Sequence, residues 1–193
     1  MGYPVEYEIE YPEHLSRWMW LVKWLLAIPH FIILDLFGSL AFAVAIISGF
    51  SLLFTGRYPA GLFDLVAAYL RWQTRTAAYL FLRDEYPPFS GAEEPQYPVR
   101  VRVERPEGLS RWMWLVKWLL AIPHLIVLVF YGILALVLVI IGLIALLFTG
   151  RFPKGLFDLI VGFSRWALRV QAYALYLLTD QYPPFSGRPA AEV

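Results

Sequence analysis

The sequence predicts a mainly α-helical integral membrane protein: a tandem repeat of helical hairpins with four transmembrane helices, plus a small pair of β-strands at the membrane surface. Two observations predict this class. Residues 15–30 recur without change as residues 109–124, so one unit is written twice. The 193 residues are also 60% hydrophobic and 18% aromatic, whereas soluble domains are about 45–50% apolar. Such a chain has more apolar surface than a globule of its size can bury, and lipid is the natural surrounding for the excess.

The repeat divides the chain into two units, residues 1–94 and 95–193. The net charge of +1 provides no basic field, so nucleic acid is not an expected partner. The absence of cysteine excludes disulfides, thiolate nucleophiles and cysteine-based metal centres, and no cofactor is expected. The first ten residues are acidic and alternating, which is not the pattern of a cleavable signal peptide. We therefore expect the first apolar stretch to act as the targeting signal.

Each unit opens with a segment of alternating residues, 5–11 in the first and 99–105 in the second. A period of two with β-branched residues predicts a strand. Opposite charges across a strand pair contribute about 0.2–1 kcal/mol each, so we expect the two strands to pair. Two separate solvated arms are the alternative. The charges that favour pairing occupy equivalent faces of the two segments: Glu6, Glu8 and Glu10 in the first, Arg100 and Arg102 in the second.

A tryptophan-rich stretch follows each strand, at residues 16–28 and 110–122. Ser16 is suited to cap the start of a helix. Tryptophans mixed with cations such as Arg17 and Lys23 are typical of the membrane–water boundary, where long cationic side chains extend toward water. This stretch is therefore expected to lie at the boundary.

A proline, Pro29 or Pro123, then predicts a break or a kink before a long apolar span. The spans, residues 29–54 and 123–148, have 26 residues each, and about 20 are enough to cross a bilayer. The single charged residue in them is Asp35. We expect Asp35 to neutralise an arginine of the second helix, and a proton or cation site is the alternative.

A turn containing glycine and proline leads to a second helix, predicted over residues 61–82 and 155–178. This helix repeats one aspartate and two arginines whose spacing places them on a narrow stripe. One hypothesis is an anion or lipid-phosphate site, since guanidinium groups suit phosphate oxygens. The other is a salt-bridge network that sets helix register. The residues concerned are Asp64, Arg71 and Arg75 in the first unit and Asp158, Arg165 and Arg169 in the second.

Two near-identical units should occupy the same environment with their strands on one side, which requires an even number of crossings per unit. We therefore expect the second helix to cross as well, giving four crossings with parallel repeats. The alternative places the second helix in the interface. Each unit then crosses once, and the two units have opposite orientations.

With four crossings, cations are concentrated on the side of the membrane that holds the termini. Because positive charge favours the cytoplasmic side, this distribution predicts cytoplasmic termini. The nine cations on that side are Arg17, Lys23, Arg83, Arg100, Arg102, Arg105, Arg111, Lys117 and Arg188, against Arg57, Arg151 and Lys154 on the other.

His30 and His124 follow the two prolines. A twofold arrangement would make them candidate metal or haem ligands, whereas hydrogen bonding to backbone or headgroups is the simpler expectation. Each unit closes with the tail Tyr-Pro-Pro-Phe-Ser-Gly, residues 86–91 and 182–187, and the first copy is two residues shorter just before it. The tail is either a docking segment for a partner or a turn that folds back on the strand pair.

The alternating strand, LSR, IPH, the apolar span, TGRYP, the GLFD…RW…R helix and YPPFS together resemble a bacterial family of unknown function, numbered 4389 among such domain families. The resemblance covers both copies, and so nearly the whole chain. It implies a bacterial integral membrane protein, placed in the inner (plasma) membrane as a multi-pass protein, and it implies no activity. The chain differs between its copies in the shortening before Tyr86 and in having Asp35 where the second copy has Val129.

The sequence contains no Ser-His-Asp or Cys-His arrangement and no phosphate-binding loop, so an enzyme is not expected. We expect a non-catalytic membrane scaffold or accessory subunit that assembles laterally with itself or with a larger membrane complex. Its exposed strand pair would accept further strands. The alternative is a pore or carrier for an anion or lipid phosphate, using the arginines and aspartates of the second helices.

Overall fold

The computed structural model describes residues 2–189, in which the secondary structure is mainly helical with one small strand pair. This confirms the predicted class at that level. The strands are β1 (Val5–Ile9) and β2 (Val99–Val103). The helices are α1 (Trp20–Leu26), α2 (Ile28–Thr55), α3 (Ala60–Phe81), α4 (Met113–Thr149) and α5 (Lys154–Val170), and α5 runs into a π-helical segment, Gln171–Leu175.

The predicted pairing of the two strands is confirmed, and the pairing is antiparallel. Glu6 lies opposite Arg102, and Glu8 lies opposite Arg100. The ion pairs between them are loose, with N–O distances of 3.8 Å and 3.7 Å. The other face of the pair, which includes Tyr7, is apolar and buried against the helices. Alternation therefore gives this pair one charged face and one core face.

The tryptophan-rich stretch is less regular than predicted. In the first copy α1 begins at Trp20 rather than at Ser16, whose backbone N–H donates to the Asp84 carboxylate at 2.6 Å. A single residue, Ala27, separates α1 from α2. In the second copy α4 continues through Pro123, so of the predicted break or kink the chain has no break there. The same sixteen residues thus form both arrangements, because one proline removes only one helical hydrogen bond.

The helices and strands form three layers. Helix α3 packs against α2 on one side and against β2 on the other, and α5 packs in the same way between α4 and β1. The outer layer therefore contains α2 and α4, the middle layer contains α3 and α5, and the strand pair lies beneath. Each strand rests on the middle helix of the other copy.

The two copies run antiparallel to each other. Arg111, at the start of the second copy's helix, lies beside Gly56 at the end of α2, and Arg17 lies beside Gly150 at the end of α4. Both glycines have positive φ, 69° and 73°, which is the left-handed conformation that commonly ends helices. The predicted parallel arrangement of the repeats is therefore wrong. An approximate twofold axis through the strand pair relates the copies instead.

Within residues 2–189, only α2 and α4 are long and apolar enough to cross a membrane. The prediction of four transmembrane helices is therefore wrong. Helices α3 and α5 belong to the middle layer, where protein covers their arginines: Arg75 is 1% exposed and Arg169 is 0% exposed. The wide apolar surface that suggested two further crossings is buried against neighbouring helices and strands.

The two extra residues of the second copy lie after α5, where a single regular helix was expected. The chain widens into the π-helical segment Gln171–Leu175, and Leu177 then adopts a positive φ of 58°. A π-helical turn bonds residue i to residue i+5 rather than to residue i+4, so it accommodates an additional residue.

Candidate functional site

The arginines singled out in the sequence lie between the middle helices, the strand pair and the tails. Arg71 of α3 donates through Nε to the backbone carbonyl of Val101 in β2 at 3.2 Å. Arg165 of α5 donates through Nε to the backbone carbonyl of Tyr7 in β1 at 3.0 Å. Each bond joins a helix of one copy to the strand of the other. These two arginines therefore hold the strand pair on the helices.

The other two arginines, Arg75 and Arg169, bind the tails. Burial lowers the pKa of both guanidinium groups, but an arginine keeps its charge, so each needs nearby acceptors. Each donates two hydrogen bonds to backbone carbonyls of the tail that follows its helix. The acceptors are Ser90 (3.3 Å) and Ala92 (2.9 Å) for Arg75, and Ser186 (3.2 Å) and Arg188 (2.9 Å) for Arg169.

The aspartates on the same helices do not meet these arginines. Asp64 accepts a hydrogen bond from Arg105 at 2.5 Å, and Asp158 pairs with Lys154 at 3.0 Å. Both aspartates are exposed. They are the fifth residues of α3 and α5, about two helical turns before Arg71 and Arg165 and about three before Arg75 and Arg169. The structure thus brings the four arginines to the strands and tails and leaves the two aspartates in separate exposed ion pairs.

Asp35 is also separate from the arginine stripe. Its side chain is exposed on α2, beside Tyr69 and Gln73 of α3. Arg71, one of its expected partners, pairs instead with Glu93 at 2.9 Å. The prediction that Asp35 neutralises an arginine of the second helix is therefore wrong.

Each histidine belongs to a cluster within its own copy. Trp72 donates through Nε1 to Nδ1 of His30 at 2.9 Å, and Trp166 makes the same bond to His124 at 3.1 Å. The imidazole of His30 stacks on Phe89 of the tail, with ring centroids 4.0 Å apart. Among the described residues, no three metal-ligating side chains lie together. The tails therefore fold back on the histidines and the buried arginines.

Two buried ion pairs were not predicted from the sequence. Lys23 bonds to Asp84 and Lys117 to Asp180, both at 2.7 Å, and the lysines are 4% and 0% exposed. Burial lowers the pKa of Lys23, while Asp84 acts against this shift. The expectation of boundary lysines reaching toward water is wrong for both. One signal was available: a lysine inside the tryptophan-rich stretch and an aspartate two residues before the tail recur in both copies.

The histidine–tryptophan pair also had a signal in the sequence. His30 and Trp72 are separated by 42 residues, and so are His124 and Trp166. The same separation in both copies is expected if the histidine and the tryptophan are in contact, because an insertion or deletion between them would tend to disrupt that contact. The copies differ in length only beyond these tryptophans.

A family model described as Domain of unknown function (DUF4389) matches residues 17–91 and again residues 111–187. No curated protein and no solved structure matches the chain. The two matched regions contain the lysine–aspartate pairs, the histidine–tryptophan pairs and the four arginines, whereas the acceptors Ala92, Glu93 and Arg188 lie just beyond them. Strands β1 and β2 precede the matched regions.

Proposed function

The chain belongs to the DUF4389 family, of which it carries two domains, and we propose that it is a non-catalytic membrane scaffold lying along one face of a bilayer. In this proposal α2 and α4 are embedded in lipid, α3 and α5 lie at headgroup level, and the charged strand pair faces water. The observation that carries the proposal is the position of the strand pair, halfway along the apolar helices.

The outward surfaces of α2 and α4 are apolar and uncovered. The buried residues of α2 form a narrow stripe from His30 to Leu52, and α4 has a similar stripe. Large apolar side chains cover the remaining surface: Leu36 is 74% exposed, Phe130 is 70% exposed and Phe148 is 76% exposed. Monomeric soluble proteins rarely expose apolar patches beyond a few hundred Å². An uncovered surface along two whole helices is typical of contact with lipid.

The strand pair lies level with the middle of the apolar helices. Tyr69 and Trp72 of α3 both pack against Phe37 of α2, with ring centroids 5.5 Å and 6.1 Å apart. Arg71, between them in sequence, bonds to Val101 of β2. Because α1 and α2 together run from residue 20 to residue 55, Phe37 is near their midpoint. If α2 stood upright in a bilayer, the strands would be level with the bilayer centre.

An upright arrangement would therefore place a charged surface in hydrocarbon. A charge at the bilayer centre costs about 2.5–3.5 kcal/mol on insertion scales, and only Arg100 and Glu10 form a close ion pair on this surface, at 3.0 Å. When the molecule lies along the bilayer, the same surface projects into water and this cost is avoided. The charged residues on the outward face are Glu6, Glu8, Arg100 and Arg102, with Glu10 beside them.

The length of α4 favours the same orientation. Its 37 residues span about 55 Å at 1.5 Å per residue, and the hydrocarbon core is about 30 Å thick. Arg111 and Arg151 lie just beyond its two ends and are exposed. A helix in the plane of the membrane allows both arginines to reach phosphates of the same leaflet.

The role of a scaffold is supported by what the polar residues bind. The buried arginines, lysines and histidines contact the backbone or side chains of this same chain, and thereby join helices, tails and strands into one unit. We propose that the water-facing charged surface assembles with a second copy or with a larger membrane complex. The alternative of an anion or lipid-phosphate carrier stays a prediction, and it requires Arg71, Arg75, Arg165 and Arg169 to exchange backbone carbonyls for the anion.

Cysteine labelling tests the orientation, because the natural chain has no cysteine. Three single variants, Arg57→Cys, Arg102→Cys and Arg151→Cys, place a thiol at the end of α2, on β2 and at the end of α4. All three positions are exposed. Sealed vesicles carrying each variant are treated with a membrane-impermeant maleimide. The proposal expects all three thiols to react from the same side.

The other topologies give different patterns. Upright antiparallel spans would place residues 57 and 151 on opposite sides. Upright parallel hairpins would place 57 and 151 together and 102 on the other side. Either pattern overturns the proposal. Oriented circular dichroism of the protein in stacked bilayers supplies an independent measurement, since helices in the membrane plane and helices along its normal give distinct spectra.

A further inference from the structure

The twofold symmetry is broken in the middle layer. Gln73 of α3 donates through Nε2 to Oε1 of Gln171 at 2.7 Å. The symmetry-equivalent residues, displaced by 94 positions in the sequence, are Ala167 and Ala77. All four residues line one cavity of about 390 Å³ between α3, α4 and α5. The two glutamines bond to each other at its wall, and the two alanines, which take the equivalent places, fill less of the space.

The walls of this cavity are mostly apolar, and its polar lining residues are Tyr7, Gln73, Thr74, Ser164 and Gln171. The two glutamines bond to each other. None of its lining residues is charged. The hydroxyl groups of Thr74 and Ser164 are turned back onto their own helices, where they donate to the carbonyls of Leu70 (2.7 Å) and Ile160 (3.0 Å). A polar ligand would therefore find few free partners there, whereas an apolar group would lose nothing by entering.

The first copy shows what fits such a space. Tyr69 is the equivalent of Phe163, which lines the cavity. Tyr69 packs against Tyr176, with ring centroids 5.8 Å apart, and Tyr176 is only 4% exposed. Tyr176 reaches this position because the two extra residues of the second copy form the π-helical segment before it. The shorter first copy has no such side chain to place in the cavity, which remains open.

The cavity also opens onto the lipid-facing surface. Leu136 of α4 and Phe81 of α3 both line it, and they are 58% and 41% exposed. Leu136 belongs to the same row of apolar side chains that faces outward along α4. We propose that the cavity holds one hydrocarbon chain of a bilayer phospholipid, inserted from that surface. This inference rests on the proposed membrane contact of α4.

The experiment counts phospholipids retained by the chain. Protein reconstituted in vesicles of phosphatidylethanolamine and phosphatidylglycerol is extracted in mild detergent and examined by native mass spectrometry. We expect one phospholipid per chain. Filling the cavity with Ala167→Phe, or with the smaller change Ala77→Leu, should reduce its occupancy several-fold. The matched control is Ile133→Phe on the lipid-facing side of α4, where the side chain is 59% exposed, and it should retain the phospholipid.

A further variant tests the role of Tyr176. Tyr176→Ala should open the equivalent space in the first copy and raise the count to two phospholipids per chain. Circular dichroism and thermal unfolding of each variant establish that it is folded. Ala167→Phe and Ala77→Leu give two independent measurements of phospholipid occupancy. Equal occupancy in Ala167→Phe, Ala77→Leu and the unmodified protein overturns the proposal, as does retention of detergent that phospholipid never displaces. If residues 57, 102 and 151 are all labelled from one side but either of these results is found, lipid binding in the cavity is rejected while the proposed scaffold is retained.

Discussion

Tyr7 and Val101 lie directly opposite each other at the centre of the strand pair, and the backbone carbonyl of each accepts a hydrogen bond from an arginine of the other copy. The donors are Arg165 and Arg71. Because these carbonyls are bonded to helices rather than to the neighbouring strand, they belong to the two free edges of the pair. A strand added at either edge would have to displace a guanidinium group from its acceptor.

Replacing Arg71 and Arg165 by lysine should therefore loosen the strand pair. Lysine has a single ammonium group in place of the planar guanidinium, so it does not reproduce the hydrogen-bond geometry of arginine. Losing a hydrogen bond to a charged group costs about 1.5–3 kcal/mol. We expect the double variant Arg71→Lys/Arg165→Lys to unfold at a clearly lower temperature in detergent, as followed by circular dichroism. Arg100→Lys is the control, since its ion pairs are exposed and worth about 0–1 kcal/mol. Equal losses in the two would contradict this role.

The buried pair of Lys117 and Asp180 should show strong coupling. Asp180→Asn leaves the lysine charge buried beside a neutral amide, and breaking such a pair costs about 3–5 kcal/mol. Adding Lys117→Met removes the charge, so the double variant should recover much of the lost stability. The free energy of unfolding of the single and double variants gives the coupling directly. A double variant as unstable as the sum of the two single changes would argue against a paired charge.

Gly187 should not tolerate a side chain, whereas Gly155 should. A Cβ at Gly187 would fall on the backbone of Gly162 in α5, and a Cβ at Gly155 would meet nothing within 4 Å. We expect Gly187→Ala to push the tail off α5 and to cost about 1–3 kcal/mol. Gly155→Ala, near the start of the same helix, should be neutral or stabilising by up to about 1 kcal/mol. Limited proteolysis of the tail and the unfolding temperature measure both effects. A stable, protease-resistant Gly187→Ala protein would contradict the close packing.

Alkaline pH should unfold the protein. Burial raises the pKa of Tyr7 and Tyr97 above the ordinary value of 10.0. A group whose pKa is raised by folding contributes stability that is fully present below its unfolded pKa and is lost as pH rises above it. The unfolding temperature should therefore fall above about pH 10, in step with tyrosinate absorbance. Tyr7→Phe removes one of these groups, so its alkaline transition should move to higher pH. An unchanged transition would assign the effect to other groups.

The sequence predicted the features that depend on repetition and alternation. Glu6 and Arg102 carry opposite charges on faces that alternate, so their strands could be paired without a structure. The same charges could not give the direction of pairing, because parallel and antiparallel strands both place glutamates beside arginines. The direction of pairing decides whether the copies run parallel or antiparallel. The number of crossings was inferred from a shared environment and from strands on one side, and neither requirement fixes that direction.

The site was harder to predict because the acceptors of the arginines are backbone carbonyls. Every residue has one, so neither Val101 for Arg71 nor Ser90 for Arg75 has a signature in the sequence. Asp64 was a candidate partner because it shares the stripe of α3 with Arg71 and Arg75, but its partner is Arg105. The continuous helix through Pro123 was unpredictable for a different reason: the identical residues in the first copy are interrupted at Ala27.

Each strand rests on the middle helix of the other copy, so a polypeptide with one copy lacks the surface that its own strand needs. A polypeptide that carried only residues 1–94 or 95–193 would have to exchange strands with a second molecule, and the present chain has the arrangement of such a homodimer joined end to end. Fragments 1–94 and 95–193 should accordingly be unstable when produced alone and should complement each other when co-expressed.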